Sequence, residues 1–108
     1  MKKIEYHKLV RDRIPEIIEK DGKTCVCSVL SQQDYITLLD QKLNEELAEY
    51  QESKSMEELA DLLEVMSAVA VARGSSMKEV EKIRVGKKEK RGGFEKRILL
   101  ESVTEQGD

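Results

Sequence analysis

Three times in 108 residues a serine is followed three positions later by an acid and then by apolar residues at helical spacing. The pairs are Ser31 with Asp34, Ser55 with Glu58, and Ser76 with Glu79. A serine in that position offers its hydroxyl to an amide that the first turn of a helix leaves without a partner, so each pair marks a helix start. After Ser31, the residues Ile36, Leu39, Leu43, Leu47 and Tyr50 form one continuous stripe, which predicts a long helix ending near Glu52-Ser53-Lys54. After Ser55, the residues Leu59, Leu62, Val65, Met66 and Val69 form a second stripe, stopped by Arg73-Gly74. After Ser76, the residues Met77, Val80 and Ile83 mark a third, more basic helix that runs out before Gly92-Gly93. A short amphipathic helix is expected around Ile14, Ile17 and Ile18, with Pro15 in its first turn and Asp21-Gly22 as its stop. The segments Thr24 to Leu30 and Phe94 to Val103 favour β-branched or aromatic residues and read as extended, pairing as a small antiparallel ribbon. The last residues, Thr104 to Asp108, read as a frayed tail. The expected fold is therefore mainly α, an antiparallel helical bundle with a small β ribbon.

A chain of this length is expected to be a single domain over 1–108. Leu, Ile, Val and Phe make up 28 of its 108 residues, enough for a core, but 38% charged residues and 4% aromatics make that core lean. Pairing with further copies, as a homodimer or homotetramer, would complete the bundle. The N-terminal stretch mixes charges throughout and lacks the apolar run of a secretory leader, and the most apolar segment, Leu59 to Ala72, is too short to span a bilayer. A cytoplasmic protein without membrane contact is expected. Cys25 and Cys27 stand one residue apart, so in an extended segment their side chains should point to opposite faces as small apolar residues in a reducing compartment.

Charge is segregated along the chain. The window Glu45 to Glu64 holds eight acids and one base, a net −7 within a total of −3, which leaves +4 outside it. The acidic total and the scarcity of aromatic residues argue against nucleic acid as a partner. Within the window, Glu46 lies about 60° from the centre of its helix's apolar stripe, on the flank of the core-facing side. Glu49 lies one step further round, and Glu45 points away. On the next helix Glu58 lies in line with Leu62, Val65 and Val69, with Asp61 beside it at i+3. An antiparallel hairpin turning at Glu52 to Ser55 would crowd four like charges at its closed end, and a divalent cation relieves that crowding at the least cost. Oxygen-only ligands suit a hard ion, magnesium first and manganese as the alternative. Singly, each acid also reads as solvated surface, and Glu58 as the third helical residue of its capping box.

The segments Glu45-Glu46-Leu47-Ala48-Glu49 and Glu58-Leu59-Ala60-Asp61 resemble the metal-binding signature of the all-α nucleoside triphosphate pyrophosphohydrolases, the MazG-like superfamily related to phosphoribosyl-ATP pyrophosphohydrolase. The stretches Tyr6 to Pro15 and Lys90-Arg91-Gly92-Gly93-Phe94 resemble segments of its small stand-alone members. The eight residues between Glu49 and Glu58 make a shorter connection than is usual there. The resemblance implies magnesium on Glu46, Glu49, Glu58 and Asp61, with Glu45 in support or assisting the attacking water alongside Glu46. It implies hydrolysis of a nucleotide to the monophosphate and pyrophosphate, of a house-cleaning kind. The cations outside the acidic window suit such a substrate: Lys8, Arg11 and Arg13 in one cluster, and Lys87, Lys88, Lys90 and Arg91 before the Gly-Gly pair in another. Arg11 and Arg91 are the preferred phosphate contacts, whereas His7 reads as surface or packing. The rival reading is a non-catalytic helical dimerisation or interaction module with a solvated acidic face.

Overall fold

The computed structural model describes residues 2–107, so that Met1 and Asp108, the ends of the mixed N-terminal stretch and of the tail, lie outside it. The described residues form four helices, α1 (Ile14–Lys20), α2 (Gln32–Ser53), α3 (Met56–Ala72) and α4 (Met77–Arg91), and no strand. The fold is mainly α. The chain divides into two compact units, the first ending at Met77 and the second beginning at Lys78.

In the first unit the expected punctuation does its work. Ser31 Oγ accepts from the Asp34 amide at 3.2 Å to open α2, and Ser55 Oγ accepts from the Glu58 amide at 3.2 Å to open α3. Between them only Lys54 and Ser55 are left outside a helix. Lys54 takes the left-handed conformation (φ 58°), and its amide donates to the Tyr50 carbonyl at 2.7 Å, which stops α2 and reverses the chain. α1 and α3 close alike. Gly22 (φ 80°) and Gly74 (φ 85°) supply a left-handed residue just past each helix, and the amides of Lys23 and Ser75 reach back to the carbonyls of Ile18 and Ala70. Because the turn is so short, α2 and α3 pack as an antiparallel hairpin. Its open end is tied by Arg73 to Asp40 at 2.7 Å and by the Gln32 side-chain amide donating to the Ala72 carbonyl at 3.2 Å. Leu39, Val65 and Ala70 are the apolar residues it buries, a core as lean as the composition implied.

Two expectations fail. The β ribbon is absent: Val26 and Val29 are about 100% exposed, and Phe94 and Ile98 through Leu100 are exposed as well. β propensity is realised only where a neighbouring strand and a buried face reward it, and neither segment finds one. For the same reason the side chains of Cys25 and Cys27 do not diverge. Without the alternation of a paired strand, their Sγ atoms approach to 4.0 Å, with Cys25 Sγ 3.9 Å from the Pro15 carbonyl.

The second unit consists of most of α4 and the segment that follows it. α4 ends at Gly92 (φ 82°), whose amide donates to the Lys88 carbonyl at 2.8 Å. An Arg84–Glu81 pair one turn apart and a Lys88–Glu95 pair at 3.6 Å decorate this unit. Among the described residues, no helix is long and apolar enough to cross a membrane.

Candidate metal centre

The hairpin turn fixes which acids meet. Ser55 holds Glu58 in the first turn of α3, Asp61 stands three residues further on, and α2 returns Glu46 to the same level from the other side. One carboxylate oxygen from each of Glu46, Glu58 and Asp61 lies within 4.8 Å of the other two. Glu46 is the one buried charged residue among the described ones, at 8% exposure. Glu46 Oε2 and Glu58 Oε2 are both shut away from solvent with no hydrogen-bond partner, although Glu58 as a residue is only half-buried. Buried polar oxygens are nearly always partnered, so these two orphans call either for a proton shared with the neighbouring Glu49 carboxylate or for a cation.

The electrostatics agree with the geometry. Burial raises the Glu46 carboxyl above the ordinary value; the adjacent Glu49 carboxylate raises it further, Lys42 opposes, and Asp61 adds to the rise. Glu58 is raised by desolvation first, then by Glu49 and Asp61. Such carboxylates hold protons more tightly because Lys42 does not offset the burial and the neighbouring negative charge, which a divalent cation would do instead. The donor set is all oxygen, with neither His nor Cys, which fits a hard ion such as magnesium or manganese.

Of the four residues implied as ligands, Glu46, Glu58 and Asp61 converge; Glu49 is exposed and presses on Glu46 and Glu58 from the solvent side. Glu45 stands apart from the triad and pairs with Lys8 Nζ at 3.4 Å. Arg11 Nη2 donates to Asp61 Oδ1 at 2.7 Å across 50 residues of sequence. His7 pairs with Glu5, and Arg13 is exposed at the start of α1. Lys87, Lys90 and Arg91 are exposed on α4 in the C-terminal unit. Sequence reasoning missed Lys42. Its Nζ lies 3.8 Å from Glu46 Oε1, and its side chain is 20% exposed. The signal was its position one helical turn before Glu46, the spacing at which opposite charges pair.

Beside the triad runs an open cleft of about 270 Å³ whose walls include Leu9, Arg11, Tyr35, Lys42, Glu46 and Asp61. It places carboxylates, two cations and an apolar wall along one surface. No protein-family model and no solved structure matches the chain. Over 41 residues it is 56% identical to an uncharacterized protein of Mycolicibacterium smegmatis, a match that covers 38% of this chain and 42% of that protein.

Proposed function

We propose that the chain is a magnesium-dependent nucleotide pyrophosphohydrolase of the MazG-like kind, hydrolysing a nucleoside triphosphate or related nucleotide to the monophosphate and pyrophosphate. The observation that carries this reading is the convergence of Glu46, Glu58 and Asp61 with two orphaned buried oxygens among them. Those three residues would hold the ion, with Glu49 at its rim. When bound, the ion supplies positive charge to phosphate oxygens and lowers the pKa of a coordinated water. The chain's own part is to position. Arg11 and Lys42 stand beside the carboxylates, where they can bind the oxygens of a phosphate chain, and Leu9 and Tyr35 offer an apolar wall to the body of the substrate. Glu45, paired with Lys8 and apart from the triad, would take part in activating the water only if the substrate displaced that pair.

The same reading includes self-association in the cytoplasm. Met56, Leu59, Leu63 and Met66 recur at spacings of three, four and three on α3 and are all exposed, a stripe that a second copy would bury to complete a bundle. The activity is tested by incubating the protein with a panel of triphosphates and magnesium and assaying pyrophosphate. Release from at least one nucleotide, abolished by Glu46→Gln and by Asp61→Asn, is expected. Release from none, or release indifferent to both substitutions, refutes the proposal. A melting temperature unmoved by millimolar magnesium, with or without nucleotide, would favour the non-catalytic interaction module instead.

A further inference from the structure

The charges around the cluster do not balance, and the way they fail to balance says what the site takes. Glu46, Glu49, Glu58 and Asp61 bring four negative charges together. Arg11 on Asp61 and Lys42 on Glu46 return two positive charges, leaving two uncompensated. A divalent cation would neutralise those two, and Asp12 and Glu64 on the adjacent cleft and Glu57 beside Glu58 add further negative charge that favours it. The ion would also make the two built-in cations redundant, because a dication shared among the carboxylates repels a guanidinium and an ammonium held against the same oxygens.

Arg11 is well suited to being displaced. Its ion pair joins side chains that are 57% and 43% exposed, the class of pair that contributes least to stability and exchanges most readily. It is carried by residues 2–11, which have no regular secondary structure and are held to the hairpin by Lys8 on Glu45 and by half-buried Leu9. Its guanidinium has a planar fork matched to phosphate oxygens. Lys42 is more confined, at 20% exposure, and lines the same cleft as Arg11, Glu46 and Asp61.

We infer that Arg11 and Lys42 are a phosphate-binding pair that serves as the carboxylates' own counter-ion until a divalent cation arrives, so that cation and phosphate, or phosphoanhydride, enter together. This rests on the metal reading above and adds regulation to it. A bare cation competes with Arg11 for the Asp61 carboxylate and weakens the guanidinium's contact with it. An accompanying phosphate accepts that guanidinium, so each ligand tightens the other. The coupling is reciprocal by thermodynamic necessity.

The test uses the whole chain, manganese as the spectroscopic probe and inorganic phosphate, which chelates manganese only weakly, as the anion. Bound manganese is followed by electron paramagnetic resonance, with and without phosphate, in the wild type, Arg11→Gln and Lys42→Met. In the wild type, phosphate should tighten manganese binding by about 5-fold or more, the lower range of ordinary site-to-site coupling. Arg11→Gln, which removes the competitor, should bind manganese alone more tightly than the wild type and should lose the phosphate effect. Lys42→Met should reduce that effect as well. Manganese binding unaffected by phosphate in the wild type, or an Arg11→Gln variant that binds the bare ion no better or keeps the enhancement, overturns the inference and leaves the metal site standing. A wild type that takes up no manganese overturns both.

Discussion

Substituting Glu46 by glutamine should change the sign of its effect on stability according to whether magnesium is present. Without the ion, the substitution removes one of the charges held within 4.8 Å of two like charges. At that separation a pair of unit charges repels by about 0.9 kcal/mol in water and about 3.5 kcal/mol at an effective dielectric of about 20. The partners are partly exposed, and the substitution also gives up the contact to Lys42 at 3.8 Å, so a net gain of about 1 kcal/mol is the expected magnitude. For a domain of this size that corresponds to a rise of roughly 4–8 °C in melting temperature in the presence of a chelator. With magnesium, the wild type gains what any native-state ligand contributes, about 2.7 kcal/mol at a hundred times its dissociation constant, and the variant loses most of it. Thermal melts of both proteins in EDTA and in a magnesium series therefore cross, the variant above the wild type without the ion and below it with the ion. A variant less stable under both conditions, or one that keeps the full magnesium shift, would show that Glu46 is an ordinary buried acid and refute the counter-ion argument.

The pH dependence follows from the same cluster. The folded-state pKa values of Glu46 and Glu58 are raised above the ordinary value of 4.5, so the folded chain binds protons that the unfolded chain has already released. Ion-free stability should accordingly rise as pH falls from 7 towards 4.5, and magnesium should flatten or reverse that trend because it competes with the protons. Melts in EDTA across that range check the sign, and stability that falls throughout contradicts it. Lys54→Gly should stabilise the hairpin by about 0.5–1 kcal/mol, since Lys54 sits at φ 58° and glycine takes that conformation without steric cost, offset in part by losing the lysine's contacts to Gln51 and Tyr50. Urea titration measures it, and a loss of 1 kcal/mol would mean those contacts outweigh backbone strain. Leu39→Ala, at the most buried apolar position of the hairpin (4% exposed), should cost about 2–4 kcal/mol, and a cost under about 1 kcal/mol would mean that the hairpin relaxes to fill the space.

How much of this was legible beforehand can be followed residue by residue. Helix starts and stops depend on contacts three to five residues apart, so Ser31, Ser55, Gly22 and Gly74 announce themselves in the sequence. The approach of Glu46 to Glu58 and Asp61 was readable too, because a two-residue turn allows two amphipathic helices little choice but to fold back on one another. Glu49 marks the limit of that reasoning. It shares Glu46's helix and signature, yet one faces the hairpin and the other solvent, and helical phase alone separates them by too little to say which converges with Glu58 and Asp61.

Local chemistry alone thus determined the four helices and the serine and glycine punctuation of α2 and α3, since each depends on neighbours a few positions away along the backbone. Tertiary structure decided the rest. The extended segments found no partner to pair with, Cys25 and Cys27 came together instead of diverging, and Arg11 reached Asp61 across 50 positions. Those outcomes depend on which surfaces meet in space, and no periodicity within a single segment encodes the presence or absence of a distant partner.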